Sequence, residues 1–138
     1  MTIRFLLPLS FLVAAGPVWA ADAPYAGLQN RPIKALSPKE VGDLRAGRGM
    51  GLALAAELNN YPGPRHVLDL SDRLGLSSDQ KSRVSALFDE MAARAQALGA
   101  QILDAEALLD RSFAAGRADE KALRSMTADI AGLKGELR

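Results

Sequence analysis

The sequence predicts an all-α protein: an elongated antiparallel helical hairpin with one long central helix, preceded by shorter N-terminal helices. Three observations carry this. Ala and Leu dominate while aromatic residues make up only 5% of the chain, and β-branched residues are few, a balance that favours helix over sheet. Ser37 and Ser77 each stand three residues before a Glu or Gln, the pattern of a capping box at a helix start. Between residues 84 and 113 apolar side chains recur at steps of three and four, which draws one stripe along a single helix.

Residues 1–20 have the layout of a cleavable secretory signal. Arg4 is the basic start, residues 5–15 are the apolar stretch, and Val18 and Ala20 are small residues at the spacing a signal peptidase reads. Cleavage is expected before Ala21. The apolar run is much shorter than the roughly twenty residues that a membrane-spanning helix needs, and Pro8 and Pro17 interrupt the segment. Residues 21–36 carry Pro24, Gly27, Asn30 and Pro32 without a sustained period and read as an extended arm or linker. Its Tyr25, Leu28 and Ile33 are candidates to dock on the helical domain of residues 37–138.

That domain opens at Ser37-Pro38-Lys39-Glu40, where Ser37 caps, Pro38 suits the first helical position and Glu40 closes the box. Val41, Leu44, Leu52, Ala55 and Leu58 continue at roughly helical spacing, so a helix is expected over residues 38–60, weakened at residues 47–51 and ended by Tyr61-Pro62-Gly63-Pro64. A short helix is expected over residues 65–74, with Val67, Leu70 and Leu74 on one face and Gly75 as its left-handed stop. Ser77-Ser78-Asp79-Gln80 is the second capping box. It opens the long helix, expected over residues 78–115, whose stripe is Val84, Leu87, Met91, Ala95, Leu98, Ile102, Ala105, Leu109 and Phe113. Ala114-Ala115-Gly116-Arg117 is the turn, and Leu123, Met126, Ile130, Leu133 and Leu137 mark a last helix over residues 119–138.

The lengths are unequal. The last helix spans about 30 Å at 1.5 Å per residue, enough to cover residues 95–113 of the long helix. Val84, Leu87, Phe88 and Met91 lack that partner and form a candidate client or dimer surface. Three arrangements are open: the earlier helices fold onto this half, a second subunit covers it, or the chain is shortened. Glu136-Leu137-Arg138 shows no cap or stop signal, which favours a chain truncated at its C-terminus or completed by association.

Composition removes several chemistries. The chain has no cysteine, hence no lipid-attachment site, disulfide or thiolate ligand. Lys and Arg number 17 against 16 Asp and Glu, and Arg4 is the one charge in the signal. The mature part is therefore balanced, without the clustered basic face that nucleic acid requires. His66 is the single histidine. With Asp69 three residues on it is a weak metal candidate, two ligands where zinc sites take three or four, and Asp72 is more distant. Gly47-Arg48-Gly49-Met50-Gly51 lacks the Lys-Ser/Thr pair and the preceding strand of a phosphate-cradling loop, so a helix break or close helix contact is expected. Met50, Met91 and Met126 are far apart in sequence, and Met91 and Met126 fall on their helix stripes, as core residues do. No catalytic constellation, cofactor site or enzyme activity is expected.

Leu76-Ser77-Ser78-Asp79-Gln80 resembles the Leu-Thr/Ser-x-x-Gln motif of the LTxxQ family, the Spy/CpxP-like periplasmic chaperones and the related periplasmic heavy-metal sensor and resistance proteins. Leu76, Ser77 and Gln80 carry the match. The export signal, the missing cysteine, the short helix ending Asp72-Arg73-Leu74-Gly75-Leu76, the very long helix and the hairpin are similar to the family from about Arg65 onward. The resemblance implies a periplasmic protein of the envelope stress response that binds unfolded or partly folded envelope proteins without ATP or cofactor, as a thin curved dimer. It also implies an alternative: a heavy-metal sensor or resistance regulator acting through a membrane sensor partner. The family's second C-terminal motif does not occur before Arg138, and its His, Glu or Met metal clusters reduce here to His66.

Overall fold

The computed structural model describes residues 24–138. The signal segment and the expected cleavage before Ala21 lie outside the described residues. Five α-helices follow in order: α1 (Pro38–Arg45), α2 (Leu54–Glu57), α3 (Pro64–Asp69), α4 (Ser78–Ala114) and α5 (Glu120–Leu137). No strand occurs among the described residues. α4 has 37 residues, about 55 Å at 1.5 Å per residue, and is the spine against which α1, α3 and α5 pack.

The helix starts follow from local chemistry. The Ser37 and Ser77 side chains accept from the backbone N–H of Glu40 and Gln80, and the Glu40 and Gln80 side chains accept from the capping residues' own N–H groups at 2.8 Å. Four backbone donors that the helices cannot satisfy internally are thus paired. The bonds from the Ser37 side chain and backbone also hold the Glu40 carboxyl below its usual range. Asp119 caps α5 by accepting from the Ala122 N–H at 2.8 Å. Between α4 and α5 the chain reverses at Gly116, and the Arg117 N–H returns to the Ser112 carbonyl at 3.0 Å.

The helix expected over residues 38–60 is broken. α1 ends at Arg45, and only the single turn of α2 re-forms downstream. Gly47 adopts φ +61°, and its backbone lies so close to α4 that a Cβ there would stand 3.0 Å from the Gln96 Cγ and 3.1 Å from the Ala92 carbonyl oxygen. A left-handed turn in tight contact ends the helix, and any residue with a side chain would be strained there. Met50 and Gly51, with φ of 46° and 77°, keep the following backbone out of helix. The helix expected over residues 65–74 stops at Asp69, and residues 70–75 continue as turns in which the Leu76 N–H reaches the Ser71 carbonyl at 3.0 Å.

The core lies where α1, the arm and α5 meet the second half of α4. Leu36, Leu44, Ile102 and Leu103 are its buried centre, with Ile33, Val41, Leu133 and Leu137 packed around them. Its tightest point is Gly99. A Cβ built there would overlap the Leu44 carbonyl oxygen and lie 2.8 Å from its carbonyl carbon, so the C-terminal turn of α1 rests directly on the α4 backbone. The arm, expected to be extended, is instead a series of turns with one 3-10 turn at Leu28–Asn30. Of its candidate docking residues Ile33 joins the core, Leu28 is half-buried and Tyr25 is exposed. Lys34 ties it down, its Nζ donating to Asp110 at 3.0 Å and its backbone N–H to the same carboxylate at 3.3 Å.

Among the described residues two carboxylates are buried, and each is paired. Glu106 accepts from Lys134 at 2.7 Å, linking α4 to α5. Asp43 accepts from Lys39 and Arg48, both at 2.6 Å, which fastens the turn after α1 to the helix itself. The hydrogen bonds from Lys39 and then Arg48 hold the Asp43 carboxyl below its usual value of 3.8. A depressed folded-state pKa contributes stability that is present above the unfolded pKa and is lost as pH falls through the folded one. The urea midpoint is therefore expected to hold at pH 5–7 and fall below pH 4. Asp43→Asn is expected to lower it at pH 7 and to flatten the acid decline, since Asn presents no charge to either cation. An unchanged pH 7 midpoint, or an undiminished decline, would contradict this role.

Candidate functional site

The first turns of α4, opened by the Ser77 cap, lie outside the buried core, whose α4 residues begin at Leu98. α3 accompanies this half of the helix. The Arg65 guanidinium sits over the Phe88 ring, 5.9 Å from its centroid, within cation–π range. Lys81 Nζ donates to Asp72 at 2.7 Å, holding the turns after α3 against α4. That bond keeps the Asp72 carboxyl below its usual range. α3 covers one flank of this half and leaves the other bare.

The four residues of the candidate surface therefore divide. Val84 and Phe88 are half-buried, while Leu87 and Met91, one turn apart, remain 57% and 45% exposed. Further along the same stripe Leu98 is 6% and Ile102 0% exposed. The change from exposed to buried coincides with the end of the α5 track, where the Arg94 guanidinium stands 3.8 Å from the Glu136 carboxylate. Phe113, at the other end of the stripe, is exposed rather than packed. Before Leu123 the returning chain offers only Ala118 and Ala122 as apolar residues.

The segment from α2 to α4 adds apolar surface that the sequence reading did not place on it: Leu54, Leu58, Tyr61, Leu70 and Leu74 are all exposed. Charged residues border the bare stripe, with Arg83 paired to Asp79 at 2.7 Å and Glu90 and Arg94 exposed beyond it. An apolar strip edged by charges suits a polypeptide partner, the charges drawing it in and the strip supplying contact area.

The weak metal candidates take separate partners. His66 Nδ1 lies 2.8 Å from Glu57 Oε1, and Asp69 is held by Arg65 at 3.0 Å. Among the described residues no three His, Asp or Glu side chains converge as a metal site would require. In the glycine-rich stretch at residues 47–51 only Gly47 comes close to α4, while Gly49 and Gly51 have nothing within 4 Å of an added Cβ. Two shallow depressions, one lined by Tyr25, Ala26, Leu28, Gln29 and Lys34 and the other by Leu108, Arg111, Ser112 and Arg117, include no residue of the bare stripe. Among the described residues no helix is long and apolar enough to cross a membrane.

The sequence pattern marked Val84, Leu87, Phe88 and Met91 as lacking the last helix, but it could not say which flank α3 would take. Glu57 beside His66 was not foreseen. The close approach of Gly47 to α4 is the close helix contact expected of the glycine run, which did not name α4 as the element approached. Comparison with protein families, curated proteins and solved structures finds no match to this chain.

Proposed function

We propose that this is a protein-binding, chaperone-like protein of the bacterial-type periplasm, holding unfolded or partly folded envelope proteins without ATP or cofactor, as the resemblance to the Spy/CpxP group implies. The exposure of Leu87 and Met91 supports it. These two residues continue a stripe that is buried at Leu98 and Ile102, and they stay exposed after α1, α3 and α5 have packed. Large apolar side chains grouped beside charges on a surface are a mark of protein interaction. The export signal places the expected site of action in the periplasm.

The test is suppression of aggregation. Added at several-fold molar excess to an aggregating client protein, the wild-type protein is expected to reduce light scattering, and no reduction would end the proposal. Leu87→Asp is expected to lose most of the effect. Its folding stability should stay within about 0.5 kcal/mol of wild type, as is usual for an exposed site. Calorimetric titration with zinc, nickel and copper addresses the metal-regulator alternative, for which saturable binding lost in His66→Ala would be required.

A further inference from the structure

We infer that residues 52–74, which include α2 and α3, form a hinged lid on the first half of α4. The lid swings away while the core stays folded, and its opening uncovers Val84 and Phe88. The opening itself follows from burial and anchoring, and its consequence for binding rests on the protein-binding proposal.

Burial divides the chain in two. Among the described residues none between Arg45 and Ala97 is buried, whereas Leu36, Leu44, Leu98, Ile102, Leu103 and Ile130 are. A segment without buried side chains opens at a free energy well below that of the whole fold. The ties from lid to α4 are slight. Asp72 accepts from Lys81, but the Asp72 side chain is 93% exposed, and screening by water leaves such an ion pair little strength. Arg65 adds its contact over the Phe88 ring. The pairs Glu57 with His66 and Arg65 with Asp69 join lid residues to one another, so they hold the lid together as a unit without fastening it down.

Both ends of the lid are anchored, and glycine stands just inside each anchor. On one side Arg48 is bonded to the buried Asp43 at 2.6 Å and Gly47 lies against α4. Gly49 and Gly51 follow, with nothing within 4 Å of an added Cβ. On the other side the Ser77 capping box fixes the start of α4, and Gly75, with φ +63° and equally free of neighbours, precedes it. Backbone with open space beside it can take up the dihedral change of a swing. α4 does not need the lid to stay helical, because its start is capped and its second half is held in the core, so the stretch between them extends an existing helix. Under the closed lid Val84 and Phe88 are half-buried, while Leu87 and Met91 are exposed. The four lie at steps of three and four along one face. Opening therefore enlarges a single exposed turn to an apolar surface two turns long, and the closed lid is an autoinhibitory cover.

The chain has no cysteine, so one introduced thiol reports its own site. In the purified protein Val84→Cys is expected to react with a water-soluble aromatic disulfide more slowly than Leu87→Cys, but at least about tenfold faster than Leu98→Cys in the core. Adding Lys81→Ala should raise the Val84→Cys rate several-fold and leave both the Leu98→Cys rate and the urea midpoint unchanged. In the wild-type protein the Leu70 and Leu74 amides, bonded to the His66 and Leu70 carbonyls at 3.1 and 2.9 Å, should exchange hydrogen at least about tenfold faster than those of Ile102 and Leu103. Lid and core amides exchanging alike, or Val84→Cys reacting as slowly as Leu98→Cys, would overturn the lid whatever the aggregation assay gives. Val84→Cys reacting as fast as Leu87→Cys, with no response to Lys81→Ala, would overturn it too, since nothing would then be covered. Lys81→Ala is also expected to suppress aggregation better than wild type, and faster labelling with unchanged suppression would overturn the inhibitory role. Suppression absent from wild type and Lys81→Ala alike would overturn the protein-binding proposal and leave the hinged opening standing.

Discussion

Gly99→Ala is expected to destabilise the protein by about 1–3 kcal/mol, the usual cost of forcing a methyl group into a filled site. The sign is the informative part. Gly in the middle of a helix is less favourable than Ala by about 1 kcal/mol, so at an ordinary position in α4 the same substitution would stabilise. Gly99 is buried, and the added methyl would overlap the Leu44 carbonyl oxygen. The obstacle is backbone, which cannot rotate aside as a side-chain tip can, so α1 must lift off α4. The loss should therefore be regional. Hydrogen exchange is expected to quicken at the amides of α1 and at the Gly47 N–H of the turn after it, which bonds to the Leu44 carbonyl at 3.2 Å, more than along the middle of α4. Gly132→Ala on α5, where nothing stands within 4 Å of the added methyl, is the internal control and should be neutral or stabilising. Urea denaturation of the pair checks both signs, and a stabilised Gly99→Ala would disprove the close approach.

Ile102→Ala is expected to cost about 2–5 kcal/mol, through lost burial and the cavity left behind. Among the described residues Ile102 is the one large side chain with no exposed surface, and it sits where Leu36, Leu44 and Leu103 meet. Few other large residues are buried, so little remains to close over the gap. Against a total stability of roughly 5–15 kcal/mol for a typical domain, such a loss removes a large fraction. Circular dichroism under urea should show a much lower midpoint. Leu87→Ala, on the same stripe, should change it by no more than about 0.5 kcal/mol. The contrast between two aliphatic residues of one helical face separates the half of α4 that holds the fold from the half that faces outward.

Much of the fold was legible in the sequence because its signals act within a few residues. Ser37 with Glu40 and Ser77 with Gln80 open helices by pairing donors three positions away, and the structure starts α1 and α4 at the residues that follow each cap. The Asp119 cap of α5 came to light only in the structure. The stripe along α4 and the turn at Gly116 were equally local, and with them came the all-α class and the unequal hairpin. Residues 47–51 were legible as a helix break or close helix contact, but the glycine run could not say that Gly47 would turn against Ala92 and Gln96 of α4.

What the sequence by itself determined about this protein is where α1, α4 and α5 begin, and the fact that α4 outruns its partner. The tertiary structure alone decided which side chains those helices conceal. It buried Asp43 and Glu106 beside cations, tied Lys34 to Asp110 across the fold, set Gly99 under α1, and laid α3 along the Phe88 flank of α4 while Leu87 and Met91 stayed bare. Caps and periodicity depend on neighbours in sequence. Burial depends on residues distant in sequence, as Lys34 and Asp110 are at 76 positions apart, and no local pattern specifies those until the chain has packed.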